Sequence, residues 1–195
     1  MNKICVVHGV GFFSEGVHES ISSFCTELEK CTGAKVLVHR WEHPGSSPAD
    51  PRRTWLFPTM KAWVHEVIMD FGYVMTNLYT LSDSLPVADM YIGHSAGGAV
   101  ISQINKPMVL MGCPLQLMYS VKPKIEAAHT LNIMHYRDPI AAPLDGAFNT
   151  VIYKPVVGSI FNPVSAHIRY WDSEEVMRSI VAFYNASVRG EEPWH

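Results

Sequence analysis

The sequence predicts an α/β protein with a mainly parallel sheet of about six strands and helices on both faces. Short apolar runs rich in Val and Ile alternate along the chain with longer segments whose apolar residues recur three and four positions apart. The short runs are apolar at almost every position, which is typical of strands buried on both faces of a parallel sheet. Alternation of such strands with helices favours a sheet covered by helices on each side.

The composition predicts a single globular domain spanning residues 1–195. Hydrophobic residues make up 48% of the chain and charged residues 17%, so a full core is available. The net charge of −3, without a basic run, argues against nucleic acid as a partner. We see no secretory signal, no apolar run long enough to cross a membrane and no zinc-like spacing of the cysteines. We therefore expect a cytoplasmic protein with reduced thiols and no transmembrane segment.

The predicted elements follow one another in a regular order. In the first half they are a strand at 4–7, a helix at 14–30, a strand within 35–41 and a long helix at 58–81. In the second half they are a strand at 88–92, a helix at 96–104, strands at 107–111, 131–135 and 150–153, and a final helix. Asp172 and Glu175 have the spacing of a capping box at the start of that final helix.

The most informative motif is Gly93-His94-Ser95-Ala96-Gly97-Gly98, which lies between a predicted strand and a predicted helix. Ligands of parallel sheets bind beyond the carboxyl ends of the strands, and this motif occupies such a position. Gly-x-Ser-x-Gly in this context is typical of a nucleophile elbow, whose tight turn projects the serine hydroxyl. We therefore predict that Ser95 is a nucleophile. A glycine-rich helix start without catalytic function is the alternative.

The motif and its context resemble the α/β-hydrolase superfamily, especially its small serine esterases and lipases, over most of the chain. The resemblance implies a carboxylate and a histidine that follow the serine in chain order. Asp138, just after the strand at 131–135, is the implied acid, with Asp145 in reserve; a surface carboxylate beside Arg137 is the alternative for Asp138. His167, in the loop before the final helix, is the implied base.

Two further histidines lie near these positions. His94 precedes the nucleophile, and we expect it to pack beside the turn rather than act as a base. The segment His8-Gly9-Val10-Gly11 is similar to the His-Gly stretch of lipases and esterases, whose following loop supplies an oxyanion-hole amide. The resemblance implies that the backbone N–H of Val10 or Gly11 acts together with that of Ala96. A simple glycine turn is the alternative.

The substrate site is the least specified part of the prediction. Candidate pocket walls lie near strand ends, although ordinary packing explains each of them equally well; they are Phe12, Phe13, Trp41, Cys113, Leu115 and Ile140. Residues 112–130 suffice for one short helix, so we expect a minimal or absent cap.

Together these features predict a serine hydrolase that cleaves carboxylic esters through a Ser-His-Asp triad and an acyl-enzyme intermediate. The mechanism requires no metal and no organic cofactor, and the expected partner is a small or lipid-like ester. A thioesterase or amidase would use the same triad. A non-catalytic binding module with the same fold is the alternative from another functional class.

Overall fold

The structure of the protein is a computed structural model that describes residues 2–9, 15–39, 60–114, 121–126, 129–153, 166–167 and 169–191, without the side chains of residues 15–18 and 60–71. The strands are β1 (Lys3–Val7), β2 (Lys35–His39), β3 (Met90–His94), β4 (Met108–Met111), β5 (Thr130–His135) and β6 (Phe148–Ile152). The helices are α1 (Glu15–Thr32), α2 (Met60–Asp83), α3 (Ala96–Ile101) and α4 (Glu174–Arg189), with a 3₁₀ helix at Arg169–Asp172.

The six strands form one sheet in the order β2-β1-β3-β4-β5-β6, and every neighbouring pair is parallel. The predicted fold class is therefore confirmed. The strand order reverses at β1, because β2 lies on one side of β1 and β3 on the other. In open α/β sheets this switch point is where ligands bind, beyond the carboxyl ends of the strands. Gly9 and Ser95 follow β1 and β3 closely, so both lie at this point.

The side chains of β1 show how the sheet separates two apolar cores. Ile4 and Val6 belong to a core that contains residues of α1 and α4, whereas Cys5 and Val7 belong to a core that contains residues of α2 and α3. All four side chains have no exposed surface. Full burial of an aliphatic side chain such as Val6 or Val7 contributes about 1.5 to 3 kcal/mol, so each face anchors the strand strongly. The sheet is therefore a firm base for the residues at its carboxyl edge.

Some element boundaries differ from those that the sequence predicts. Helix α3 ends at Ile101 rather than at residue 104, and the next residues form a turn in which the Ile104 N–H donates to the Ile101 carbonyl at 3.0 Å. Strand β6 begins two residues early, at Phe148, because it pairs with β5 from Leu131 onward. Tertiary pairing thus extends one element beyond its apolar pattern and turn geometry shortens another.

The predicted capping box at the last helix is wrong. Ser173, not Asp172, is the N-cap of α4, and its Oγ accepts a hydrogen bond from the Val176 N–H at 3.3 Å. Asp172 is instead the last residue of the 3₁₀ helix. Serine and aspartate are both good N-caps, so the preceding 3₁₀ helix decides which of the two adjacent residues caps α4.

Three other sequence expectations concern segments or side chains away from the strands. Within residues 112–130, where a minimal cap is expected, residues 115–120 and 127–128 lie outside the described residues. All four cysteines are free thiols, with Cys31 exposed and the other three buried. Among the described helices, none is long and apolar enough to cross a membrane.

Candidate active site

The turn that carries Ser95 has a strained backbone. Ser95 adopts φ 53° and ψ −126°, a conformation that non-glycine residues avoid and that costs about 1 to 3 kcal/mol. The turn also lies unusually close to the end of β1: a Cβ placed on Gly97 would approach the carbonyl oxygen of Val7 to 2.5 Å, and one on Gly9 would approach the Cβ of Ser95 to 2.6 Å. Only glycine fits at these two positions. The hydroxyl is thus held by backbone shape beside the end of β1.

Of the two backbone amides that the resemblance assigns to the oxyanion hole, the structure describes the one of Ala96. Ala96 is the first residue of α3, and the first N–H groups of a helix have no acceptor within the helix. The Ala96 N–H, directly after the serine, can therefore donate a hydrogen bond to a bound oxygen. Val10, Gly11 and Phe12, the candidates for the second donor, lie outside the described residues.

The structure brings Ser95, His167 and Asp138 together. The Nε2 atom of His167 lies 3.0 Å from the Oγ of Ser95, and its Nδ1 lies 2.9 Å from Oδ2 of Asp138. Residues far apart in the sequence thus form one continuous hydrogen-bonded chain. Asp145, the reserve candidate for the acid, lies exposed in the turn before β6.

Asp138 accepts hydrogen bonds on both carboxylate oxygens. Its Oδ1 faces the backbone N–H of Ile140 at 3.0 Å and that of Ala141 at 3.4 Å, and its Oδ2 faces the Tyr170 hydroxyl at 2.9 Å as well as His167. Burial by itself would raise the pKa of Asp138, but the hydrogen bond and charge of His167, together with the Ile140 and Tyr170 donors, hold this pKa below its ordinary value.

The ionised Asp138 determines the tautomer of His167. A carboxylate only accepts hydrogen bonds, so the proton of the neutral imidazole must lie on Nδ1, which faces Oδ2. The lone pair of Nε2 then faces the Ser95 hydroxyl, which donates to it. This is the arrangement in which the imidazole can remove the serine proton.

Tyr170 is a member of the site that the sequence did not identify. Its hydroxyl donates to Asp138 and accepts from the His135 N–H at 2.8 Å. Burial and the charge of Asp138 raise the pKa of Tyr170, so the phenol keeps the proton that it donates. A Cβ on Gly112, which has φ 58°, would approach Cε2 of Tyr170 to 2.7 Å. The sequence signal was only an aromatic pair shortly after His167, and no local pattern connects that pair to Asp138.

His94 packs beside the turn, as we expected, and also contacts His167. Its Nε2 lies 2.7 Å from the carbonyl oxygen of His167, and its ring is surrounded by the rings of His167, Tyr170 and Trp171 at centroid distances of 5.0, 5.6 and 5.4 Å. Burial, followed by the nearby charge of His167, lowers the pKa of His94 to about 3. The ring is therefore neutral near pH 7.

The predicted pocket walls have different surroundings. The Cys113 side chain is 2% exposed and packs under the serine turn, where a Cβ on Gly98 would collide with its Sγ. Burial raises the pKa of this thiol. Ile140 is 43% exposed and lies two residues after Asp138. The remaining pocket candidates lie outside the described residues; they are Phe12, Phe13, Trp41 and Leu115.

The described residues contain no group of three or more His, Cys, Asp or Glu side chains that could hold a metal ion. In comparisons with known proteins, no protein-family model matches the sequence. A search of curated proteins gives no match either.

Proposed function

We propose that the protein is an α/β-hydrolase that cleaves carboxylic esters, with Ser95 as nucleophile, His167 as general base and acid, and Asp138 as the residue that orients the imidazole. The observation that carries the proposal is the continuous hydrogen-bonded chain from the serine hydroxyl through both imidazole nitrogens to the carboxylate, with distances of 3.0 and 2.9 Å. Its location at the switch point of a parallel sheet, where α/β proteins bind ligands, supports the same conclusion.

The strain at Ser95 is a second line of support. A buried serine that serves only packing would need neither a positive φ nor a turn that excludes every side chain at Gly9 and Gly97. Backbone strain of this size persists where the surrounding structure imposes it, and such residues cluster in active sites. The hydroxyl of Ser95 also points to an imidazole nitrogen rather than to a backbone carbonyl.

In the acylation half of the reaction, the Ser95 oxygen attacks the ester carbonyl carbon while its proton moves to Nε2 of His167. The resulting imidazolium is stabilised by the carboxylate of Asp138. The tetrahedral oxyanion would be held by the Ala96 N–H and an N–H of the segment that follows β1, each worth about 3 kcal/mol in a site without water. When the C–O bond breaks, the alcohol leaves with the proton from Nε2.

In the deacylation half, water replaces the alcohol. His167 takes a proton from the water as its oxygen attacks the acyl carbon, and then returns a proton to Ser95 when the carboxylic acid leaves. No step requires a group beyond these three side chains, the amide donors and water.

The test compares Ser95→Ala with Ser102→Ala. Both serines are buried, but the Ser102 hydroxyl donates to the Ala99 carbonyl at 2.7 Å, so this variant loses a buried hydroxyl without touching His167. We expect Ser95→Ala to abolish hydrolysis of a short-chain aryl ester and labelling by a fluorophosphonate, and Ser102→Ala to retain both. The labelled residue is identified by peptide mass spectrometry. Full activity of Ser95→Ala, or a label at another residue, would refute the assignment.

A second measurement separates the ester reaction from related chemistry. Turnover of an ester, a thioester and an anilide with the same acyl group is compared for the wild-type protein. Preference for the ester is expected. A preference for the thioester or the anilide would retain the triad but replace the ester with that substrate class. A folded sample that neither labels nor hydrolyses any of the three would favour a non-catalytic binding module.

A further inference from the structure

We propose that His94 is a positioning residue, whose Nε2–H fixes the backbone of the base His167 and thereby the direction of its imidazole. The inference rests on the proposed function, because it gives His94 a part in the reaction of Ser95. His94 would touch neither substrate nor reacting atoms, and would act only through His167.

The serine turn holds His167 at two points. The Nε2 of His94 lies 2.7 Å from the carbonyl oxygen of His167, and the Oγ of Ser95 lies 3.0 Å from its Nε2. His94 and Ser95 are consecutive residues, and Ser95 has the strained backbone of the turn, so the two anchors come from one short stretch of backbone. His94 is also the last residue of β3 and pairs with Met111 of β4. A residue bound at its carbonyl and at its ring tip has little freedom to rotate.

The direction of the His94 hydrogen bond follows from the acceptor. A backbone carbonyl oxygen has no proton to give, so Nε2 of His94 must carry one and donate it. Such a hydrogen bond is costly to lose to the extent that water cannot replace the donor, and this one lies in a part-buried position. The ring of His94 lies against Tyr170 and Trp171, which belong to the 3₁₀ helix after His167. The base and the segment that follows it are therefore both tied to the same imidazole.

An ordinary packing residue at position 94 would not require a donor. A phenylalanine has nearly the same shape and would keep the contacts with Tyr170 and Trp171, but it cannot donate to the His167 carbonyl. A glutamine places its amide N–H close to the position of Nε2 while losing the aromatic ring. The two substitutions thus separate the hydrogen bond from the ring contacts.

The kinetic test compares His94→Phe with His94→Gln. If the hydrogen bond positions the base, His94→Phe lowers kcat for an aryl ester and the rate of fluorophosphonate labelling by about 10- to 100-fold, since small misplacements of a catalytic group have effects of this size. KM changes less than about twofold, because the substrate is not contacted, and His94→Gln recovers most of kcat. Thermal unfolding of both variants shows whether the losses follow stability instead. Full activity of His94→Phe, or equal losses in both variants, would overturn the proposal.

A spectroscopic test does not depend on turnover. In the Ser95→Ala background, the proton between Nδ1 of His167 and Asp138 is observed as a downfield resonance in the proton NMR spectrum. We expect this resonance to persist when His94→Gln is added and to broaden or disappear when His94→Phe is added. An unchanged resonance with His94→Phe would contradict the positioning role. Failure of the wild-type protein to label with a fluorophosphonate would instead contradict the proposed function, whatever the spectrum shows.

Discussion

The serine turn and the pair Asp138 and His167 are held in place by different forces. At the turn, backbone atoms approach so closely that a single methyl group on Gly97 would lie 2.5 Å from the Val7 carbonyl oxygen. At the acid, four hydrogen bonds converge on the two carboxylate oxygens of Asp138. Steric repulsion is steep, whereas hydrogen bonds tolerate small displacements. The position of Ser95 is therefore set by backbone shape, and the position of His167 depends on polar partners that substitutions can remove one at a time.

The largest loss of activity is expected when Asp138 loses its charge. Asp138→Asn retains the size of the side chain but presents an amide to His167, which then carries its proton on Nε2 and cannot accept the serine proton. In serine proteases with the same trio of side chains, the aspartate-to-asparagine change lowers kcat about 10⁴-fold, and we expect a similar loss here. The measurement is kcat for an aryl ester, with folding checked by circular dichroism.

The matched control for Asp138→Asn is Asp145→Asn, which removes an exposed carboxylate from the following loop. Activity within about twofold of the wild type is expected, because surface substitutions of this kind rarely change stability by more than about 0.5 kcal/mol. If Asp145→Asn caused the larger loss, the assignment of the acid would be wrong.

The serine turn is tested by adding a methyl group, because its position depends on close backbone contact. Gly97→Ala forces its methyl group against the carbonyl oxygens of Val7 and His8, which are backbone atoms that cannot rotate away. Overpacking of this kind costs about 1 to 3 kcal/mol. A displacement of the turn of about 1 Å should reduce kcat about 100-fold. Urea unfolding and ester hydrolysis measure the two effects.

Gly72 supplies the control for Gly97→Ala, because nothing lies within 4 Å of a Cβ at this exposed position in α2. Gly72→Ala should leave activity unchanged and raise the free energy of unfolding by up to about 1 kcal/mol, as expected in a helix. Equal behaviour of the two variants would show that the serine turn is not held by close contact.

A pH dependence of stability is expected from the polar contacts of His94 and Asp138. The pKa of His94 is about 3 in the folded protein against an ordinary value of 6.5, because burial of the ring and the charges of His167 and His8 outweigh the raising effects of the His167 carbonyl and of Asp138. Between these pH values the unfolded chain binds a proton at His94 and the folded chain does not. The free energy of unfolding should therefore fall as the pH falls from 6.5, by about 1.4 kcal/mol per unit at most from this residue.

Asp138 affects the free energy of unfolding in a lower pH range. Its pKa is held below the ordinary value of 3.8, so its stabilising contribution is present above that pH and is lost as the pH falls through the folded value.

Urea unfolding over a pH series should give a flatter curve for His94→Gln than for the wild type between about pH 6.5 and 4. Parallel curves would contradict the burial of a neutral imidazole at position 94.

Much of the fold could be predicted because its signals are local. The strands at 4–7 and 108–111 are continuous apolar runs, and the turn at Ser95 is encoded by the glycines and alanine around it. The acid and the base were chosen from their order after later strands, and the structure brings both within hydrogen-bond distance of their partners. Their catalytic role stays a prediction. The N-cap at Ser173 could not be chosen, because Asp172 has an equally good side chain for that position.

By itself, the sequence determined the alternation of strands and helices and the tight turn that presents Ser95, because periodicity and the steric freedom of glycine act between near neighbours. Only the tertiary structure decided that His94 meets the carbonyl of His167 and that Tyr170 meets Asp138. These contacts join residues 73 and 32 positions apart. Their geometry depends on how the carboxyl ends of parallel strands are placed beside one another, and no local pattern of residues specifies that distance.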